Sequence, residues 1–262
     1  MGLRFAEPGV DHDEEGHNHK LSAQKEEEEA VDKLLYGRQE LQAADLSLTC
    51  RRERFCITCS HAFCPHCCCA HHSPYLHFVI RVDADADSGG RGRLVFATHY
   101  SDGERMYPRY IRDIISSEDY AARLPRDAFC LHCGTAFSAA ACPDHHGRHH
   151  GRDLPEAVLR IVEHDGRHCV RCTGSEWWFP YVEMVLDDPV HDDGEHQLLP
   201  VLTAKPGTCM QCGAPYLDAY GTAASLCSRG CEDGYDRELA GRRQRRHDRR
   251  AARGLPRQPT FD

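Results

Sequence analysis

Apolar positions along the chain come in short bursts separated by polar stretches, and no run approaches the length of a membrane span. Val31, Leu34, Leu35 and Leu41 recur at helical spacing, which predicts a helix from a Ser22 cap to about residue 45. Leu34, Leu41 and Leu48 share a heptad spacing. Arg38 and Asp45 interrupt that seam, so the helix is expected to pack on the first cysteine-rich segment rather than form a coiled coil. Leu76–Val82 and Arg93–Thr98 read as strands joined by the turn Asp83 to Gly90. Alternate aspartates in that turn have a calcium-loop spacing, but Ser88 and Leu94 stand where an EF-hand needs glycine and glutamate, so a hairpin is the better reading. Residues 107–115 read as extended. Ser116 or Ser117 then caps a short helix that ends at Leu124 before Pro125. Val158–Val162 is a β-branched strand, and the aromatic run Trp177 to Val182 is read as core rather than as a base-stacking platform. Residues 187–200 carry two prolines and many acids, which predicts a linker. The tail from Gly241 to Arg253 is arginine-dense and compatible with a helix.

Cysteine and histidine spacing changes this picture from a small apolar core to a metal scaffold. Cys56-x2-Cys59 and Cys64-x2-Cys67 lie close together, followed by His71 and His72. Each Cys-x2-Cys turn aims two thiolates at one point, and two such donor pairs fill a tetrahedral zinc shell. The pattern returns at Cys130, Cys133, Cys142, His145, His149 and His150. Phe55-Cys56 matches Phe129-Cys130, Ala62-Phe63 matches Ala136-Phe137, and Cys67 is replaced by His145, which preserves a zinc donor. Each copy then runs into a β-branched stretch. The segment is an internal duplication of a metal-binding module. Cys169 and Cys172 make a further close pair, which completes a site with His149 and His150 or belongs to none. Cys209, Cys212, Cys227 and Cys231 form a four-thiolate set with no position left for a substrate. For the first copy the simpler of the open assignments is one zinc on Cys56, Cys59, Cys64 and Cys67. For the second copy the simple assignment is Cys130, Cys133, Cys142 and His145. About three zinc ions are expected in all.

Composition supports metal over disulfide. Sixteen cysteines and nineteen histidines in 262 residues are far above ordinary usage. The N-terminus lacks a secretory apolar stretch, so reduced thiols are expected. Formal net charge is −9, but it is unevenly spread. Residues 7–32 are acidic, the first metal module is nearly balanced, and the tail is basic. Such a tail suits nuclear import or phosphate contact. Catalytic signatures are missing: there is no His-Glu-x-x-His, no deaminase His-x-Glu, no phosphate loop and no Gly-x-Ser-x-Gly. The chain is expected not to be an enzyme, with no small-molecule substrate and no membrane partner.

The run Phe55-Cys56-x2-Cys59-x4-Cys64-Pro65-His66-Cys67-x3-His71, the β segment after it, and the closing Cys209-x2-Cys212 with Leu226-Cys227-Ser228-Arg229-Gly230-Cys231 resemble the plant AT-rich-sequence and zinc-binding (PLATZ) family, whose core is related to B-box zinc fingers. The family's leading Cys-x2-His pair has no counterpart here, and the second cluster and the wider Cys133-x8-Cys142 spacing also depart from its pattern. The resemblance implies small α+β zinc-stabilised modules with B-box or treble-clef-like hairpins, a disordered acidic N-terminus and a basic C-terminal tail. A B-box-like cross-brace would pair Cys56 and Cys59 with two trailing histidines, and Cys64 and Cys67 would then need an upstream pair, of which only Cys50 is in view. It also implies a nuclear protein that binds A/T-rich double-stranded DNA and represses transcription together with the transcription machinery. Arg51, Arg52, Arg54 and Arg81, with Arg242, Arg243, Arg245, Arg246, Arg249 and Arg250 of the tail, are then the expected phosphate contacts. The alternative is a zinc-scaffolded protein-interaction module that does not touch DNA. The expected segments are 1–49 (acidic, one helix), 50–126 and 127–186 (metal modules), 187–207 (linker), 208–236 (four-cysteine site) and 237–262 (basic tail).

Overall fold

The computed structural model describes residue 29 and residues 31–68, 77–84, 92–95, 109–150, 154–204, 207–216 and 226–252. The predicted acidic N-terminus and the Ser22 cap lie outside these residues. The leading helix α1 covers 31–43. Its Leu34 and Leu41 are buried, as the stripe predicts, whereas Leu48 is exposed. The helix does not pack on the first module. Leu34, Leu41 and Leu46 join Phe129, Leu131 and Leu159 of the second. The close approach runs through Gly37, where an added Cβ would collide with the Leu131 carbonyl.

Two sheets carry the duplication. The first holds β2 (Arg54–Cys56), β3 (His61–Phe63), β4 (Val79–Ala84) and β5 (Gly92–Val95), in the order β3-β2-β4-β5. The second holds β7 (Ala128–Cys130), β8 (Thr135–Phe137), β9 (Val158–His164) and β10 (Arg167–Cys172), in the order β8-β7-β9-β10. Register repeats residue for residue: Phe55 faces Ala62 and Ile80, and Phe129 faces Ala136 and Leu159. The β4–β5 pairing bears out the hairpin reading of the aspartate-rich segment, with Asp83 opposite Arg93.

A helix covers the same face of each sheet. Over the first lies α3 (Arg109–Ser117), whose Ile111 and Ile115 pack with Phe55, Ile80, Val82 and Tyr120. Residues 107–115 were expected to be extended. The spacing of four between Ile111 and Ile115 instead puts both on one helical face, and it outweighs the β preference of the isoleucines. Ser117 ends this helix, its hydroxyl donating to the Ile114 carbonyl, rather than starting another. Over the second sheet lie α5 (Phe179–Val182) and a 3-10 turn (Glu183–Val185). Trp178, Phe179, Val182 and Val185 are buried there, so the aromatic run is core.

Residues 187–200 are not a linker. They supply β11 (His191–Asp192) and β12 (Gln197–Pro200), and β12 pairs with β10 to extend the second sheet. The acids that suggested solvent exposure are turn acceptors and ion-pair partners instead: Asp193 Oδ1 takes the backbone N–H of Glu195 and His196. The two copies meet through the faces that carry the cysteines. Cys50, Cys56, Phe63, Cys64 and Cys67 pack against Ala128, Cys130, Phe137 and Cys142. A short ladder fastens this junction, with β1 (Thr49–Cys50) pairing antiparallel to β6 (Leu124–Pro125).

The basic tail forms α6 (Arg229–Ala252). It is docked, not free. Arg242 and Arg246 are buried, and Arg246 donates to the carbonyls of Leu186 and Asp187. No helix among the described residues is long and apolar enough to cross a membrane.

Candidate metal centres

Four groups of cysteine and histidine bring their donor atoms within 4.8 Å of one another among the described residues. The cysteines there are all free thiols rather than disulfides. Tetrahedral zinc at about 2.3 Å from sulfur and about 2.0 Å from nitrogen sets its ligands about 3.5 to 3.8 Å apart. The donors here converge at close to that spacing, they combine thiol and imidazole only, and each group includes a buried cysteine. They fit a metal ion, zinc among them, and a bound ion would supply the cross-link that such small cores lack.

The first copy divides its donors between two centres. Cys56 and Cys59 sit 3.3 and 3.2 Å from His77 Nδ1. Cys64 and Cys67 join Cys50 and His66, with Cys50 and Cys67 sulfurs 3.2 Å apart. The single four-cysteine site on Cys56, Cys59, Cys64 and Cys67 is therefore overturned in favour of the interleaved assignment. The cause is the β2–β3 hairpin: it turns the first pair towards His77, and α2 (Pro65–Cys68) carries the second pair to the opposite end, beside β1. Anionic charge in the second centre settles on Cys64, held down near 2 as Cys50 and Cys67 donate to it, while both of those thiols are raised. His71 and His72 lie outside the described residues.

In the second copy Cys130, Cys133, His145 and His150 form one centre. Cys133 sulfur is 3.2 Å from His145 Nε2 and 2.9 Å from His150 Nε2, and Cys130 is 3.3 Å from the latter. Cys142 is displaced from its predicted ligand role. It is buried beside His145, in the contact with the first copy. The cause is α4 (His145–His149), which follows the widened Cys133-x8-Cys142 loop and turns His145 inwards, so that His150 supplies the fourth donor. Burial opposes charge on His145, but the Cys130 and Cys142 thiolates outweigh it and lift the imidazole to about 9. Cys133 as a donor brings Cys130 down to about 3. His149 is helical and is not in the group.

Cys169 and Cys172 complete nothing. Both lie within β10, where positions three apart point to opposite faces, and burial raises both thiols, Cys172 to about 12. The C-terminal four-thiolate site assembles as expected. Cys212 and Cys231 are 3.6 and 3.5 Å from Cys227, and Cys209 accepts the Cys227 backbone N–H at 3.4 Å. Cys231 rides in the first turn of α6, so this centre anchors the clasping helix. Three donors escaped the spacing argument: His66, which lies inside the second Cys-x2-Cys turn, His77, two residues before β4, and Cys50, visible only as an unpaired upstream cysteine.

The expected phosphate contacts are mostly engaged within the protein. Arg243 and Arg246 pair with Glu183, Arg245 with Asp188 at 2.6 Å, and Arg242 with Glu238 at 2.9 Å. Arg246 and Arg242 also lie over the Phe179 and Tyr235 rings. The pairing was hidden in the sequence because Glu183 and Asp188 lie far from the tail in the chain. Arg52 pairs with Glu118, and Arg51 is half-buried. Arg54, Arg81 and Arg249 are exposed, and α6 includes Arg250. No protein-family model, curated protein or solved structure matches the chain.

Proposed function

We propose that this chain is a non-catalytic, zinc-organised recognition protein of the PLATZ type that binds A/T-rich duplex DNA in the nucleus. The single observation behind this reading is the donor chemistry. All four centres are built from thiol and imidazole alone, and three have four donors in place, which suits structural rather than catalytic metal. The interleaving of two centres along the first copy supports a B-box-like cross-brace, and the wording of the first and last cysteine clusters supports the family. Four zinc ions are proposed rather than three, because the first copy divides its donors. Exposed Arg54 and Arg81 support contact with phosphate.

A second reading is favoured by a specific observation. The tail arginines are consumed by Glu183, Asp188 and main-chain carbonyls, which suits a protein-interaction module that does not touch DNA. Anisotropy of a labelled A/T-rich duplex, titrated with the zinc-loaded and the chelator-stripped protein across a salt series, separates them. Zinc-dependent, salt-sensitive binding that persists at about 150 mM salt is expected for a DNA-binding protein. Its loss above about 100 mM sinks that reading in favour of the interaction module.

A further inference from the structure

The C-terminal centre differs from the other three in what its donors are and in how they are covered. Among the described residues it is the one group built from thiols alone, whereas each of the others includes at least one imidazole. Cys212 is the only exposed cysteine among those residues, and Cys227 and Cys231 are half-buried. By contrast, Cys50, Cys56, Cys64, Cys67 and Cys130 are buried where the two copies meet.

The four sulfurs are also gathered by contacts that owe nothing to a metal. Gly213 N–H donates to the Cys209 carbonyl at 2.9 Å, and Cys209 N–H to the Ala214 carbonyl at 2.8 Å, which closes the turn around Cys209 and Cys212. Met210 Sδ lies 3.6 Å from Gln42 Nε2 of α1. Gln211 covers Gly234 of α6, where an added Cβ would stand 3.4 Å from the Gln211 Nε2. On the far side of the site, Cys231 N–H donates to the Ser228 carbonyl at 3.0 Å as α6 begins. Cys227 sulfur is thereby set 3.6 Å from Cys212 and 3.5 Å from Cys231, with all four sulfurs within 4.8 Å of one another. A disulfide needs about 2.05 Å between sulfurs, so a shift of about 1.5 Å joins Cys212 to Cys227.

We infer that Cys209, Cys212, Cys227 and Cys231 are a peroxide-sensitive site, oxidised to the disulfides Cys212–Cys227 and Cys209–Cys231 with loss of the metal, while the other three centres keep theirs. This rests on reading the four thiols as a zinc site and is independent of whether the partner is DNA or protein. The exposed Cys212 thiolate attacks one oxygen of hydrogen peroxide, and the O–O bond breaks to leave Cys212 sulfenic acid and hydroxide. The Cys227 thiolate attacks that sulfur, the S–S bond forms, and the S–O bond breaks to release a second hydroxide. Two solvent protons convert both hydroxides to water, so one peroxide is reduced for each pair of thiolates oxidised. A second peroxide acts in the same way on Cys209 and Cys231. Disulfide sulfur lacks the thiolate charge that binds a metal, so this centre is left with no donor. A centre that contains imidazole keeps a nitrogen donor under the same treatment. The Cys212–Cys227 bond keeps the turn tied to α6, so the ion leaves without undocking the helix.

The test adds hydrogen peroxide stepwise to the full-length, reduced, zinc-loaded protein. A chromogenic chelator follows released zinc, native mass spectrometry counts retained ions, and peptide mapping locates the disulfides. One ion per chain should leave for about two peroxides consumed, with both bonds mapped. The thiols of the other three centres should still take maleimide after denaturation, and the near-ultraviolet signal should persist. Dithiothreitol with added zinc should restore the starting ion count. Cys212→His keeps a zinc donor but removes the exposed thiol, and it should slow release about tenfold. If that variant folds poorly, the bonds mapped in the parent decide the matter. Ions leaving first from the two copies, four C-terminal thiols still reduced after release, or bonds confined to each close pair overturn the inference alone. A reduced parent whose C-terminal thiols take maleimide without chelator carries no ion there, which sinks the zinc reading of this centre and the inference with it.

Discussion

Residues in left-handed conformation close three of the Cys-x2-Cys turns: Ser60 at φ 56° after Cys59, Gly134 at 61° after Cys133 and Gly213 at 70° after Cys212. Only the glycines carry that geometry without a Cβ penalty. Ser60→Gly is expected to raise stability by about 0.5 kcal/mol, the relieved strain slightly exceeding the added chain entropy. Gly213→Ala, with open space around it, should cost about 1 kcal/mol. Gly134→Ala should cost more, because its Cβ would press on Glu40 and Tyr36 of α1. Denaturant midpoints of the zinc-loaded proteins rank the three. In the C-terminal centre the neighbouring thiols raise Cys227 while Cys209 is the thiol held low. Burial pushes its thiol up, but the backbone N–H groups of Cys212, Cys227 and Gln211 outweigh this and bring it to about 6. A folded value below the unfolded one contributes stability above the unfolded value, near 8.5, and loses it as pH falls through about 6. Metal binding adds to the same slope, since ligands must be deprotonated. Release of zinc to a chromogenic chelator should therefore begin at the C-terminal site as pH drops towards about 6, and Cys209→Ser should erase that first step. At this scale the sequence was readable for thiol pairs, whose spacing is local. It was unreadable for Cys142 and His150, because an added loop decides which of two nearby donors turns inwards.

Elements were legible where one face had one period, as in α1 with Leu34 and Leu41, and misread where charge masked packing. Residues 187–200 look solvated, yet Leu199 and Gln197 are buried in β12. The tail looks like a free basic arm, yet α6 docks on the turn after α5. Tyr235 hydroxyl donates to the Met184 carbonyl at 2.5 Å, and Arg242 reaches the same carbonyl at 3.2 Å. Glu183 is the hub of this clasp, shared by Arg243 and Arg246. Glu183→Gln strips the counter-charge from a buried guanidinium and is expected to destabilise by about 3 kcal/mol. Arg246→Met removes the buried charge itself and keeps apolar contact with Phe179, so it should cost less. Thermal melts of the two variants check the order. The opposite order would mean that Arg246 acts through its two carbonyl bonds rather than through Glu183.

At the scale of the molecule, the described residues form two copies of one sheet-and-helix unit joined face to face, with the second copy enlarged by β12, β11 and the clasp. That the unit is duplicated was readable from matched cysteines and phenylalanines. That the copies bury their cysteine faces against each other was not, because alternation tells which face is apolar and nothing about what covers it. The shared core consists largely of cysteine side chains and metal-ligating turns, so metal and tertiary structure are expected to be lost together. Native mass spectrometry should find four zinc ions, and chelation should expand the chain and abolish the near-ultraviolet signal in one transition. Three ions with an intact fold would mean that Cys56, Cys59 and His77 do not hold a metal. The β1–β6 ladder has a further consequence, for synthesis on the ribosome. Cys50 emerges early, but its strand partners at 124–125 and the covering face at 128–142 are translated much later. The newborn first half must therefore wait with reactive sulfur uncovered, and the interval before the second half arrives is when oxidants or a shortage of zinc do the most damage.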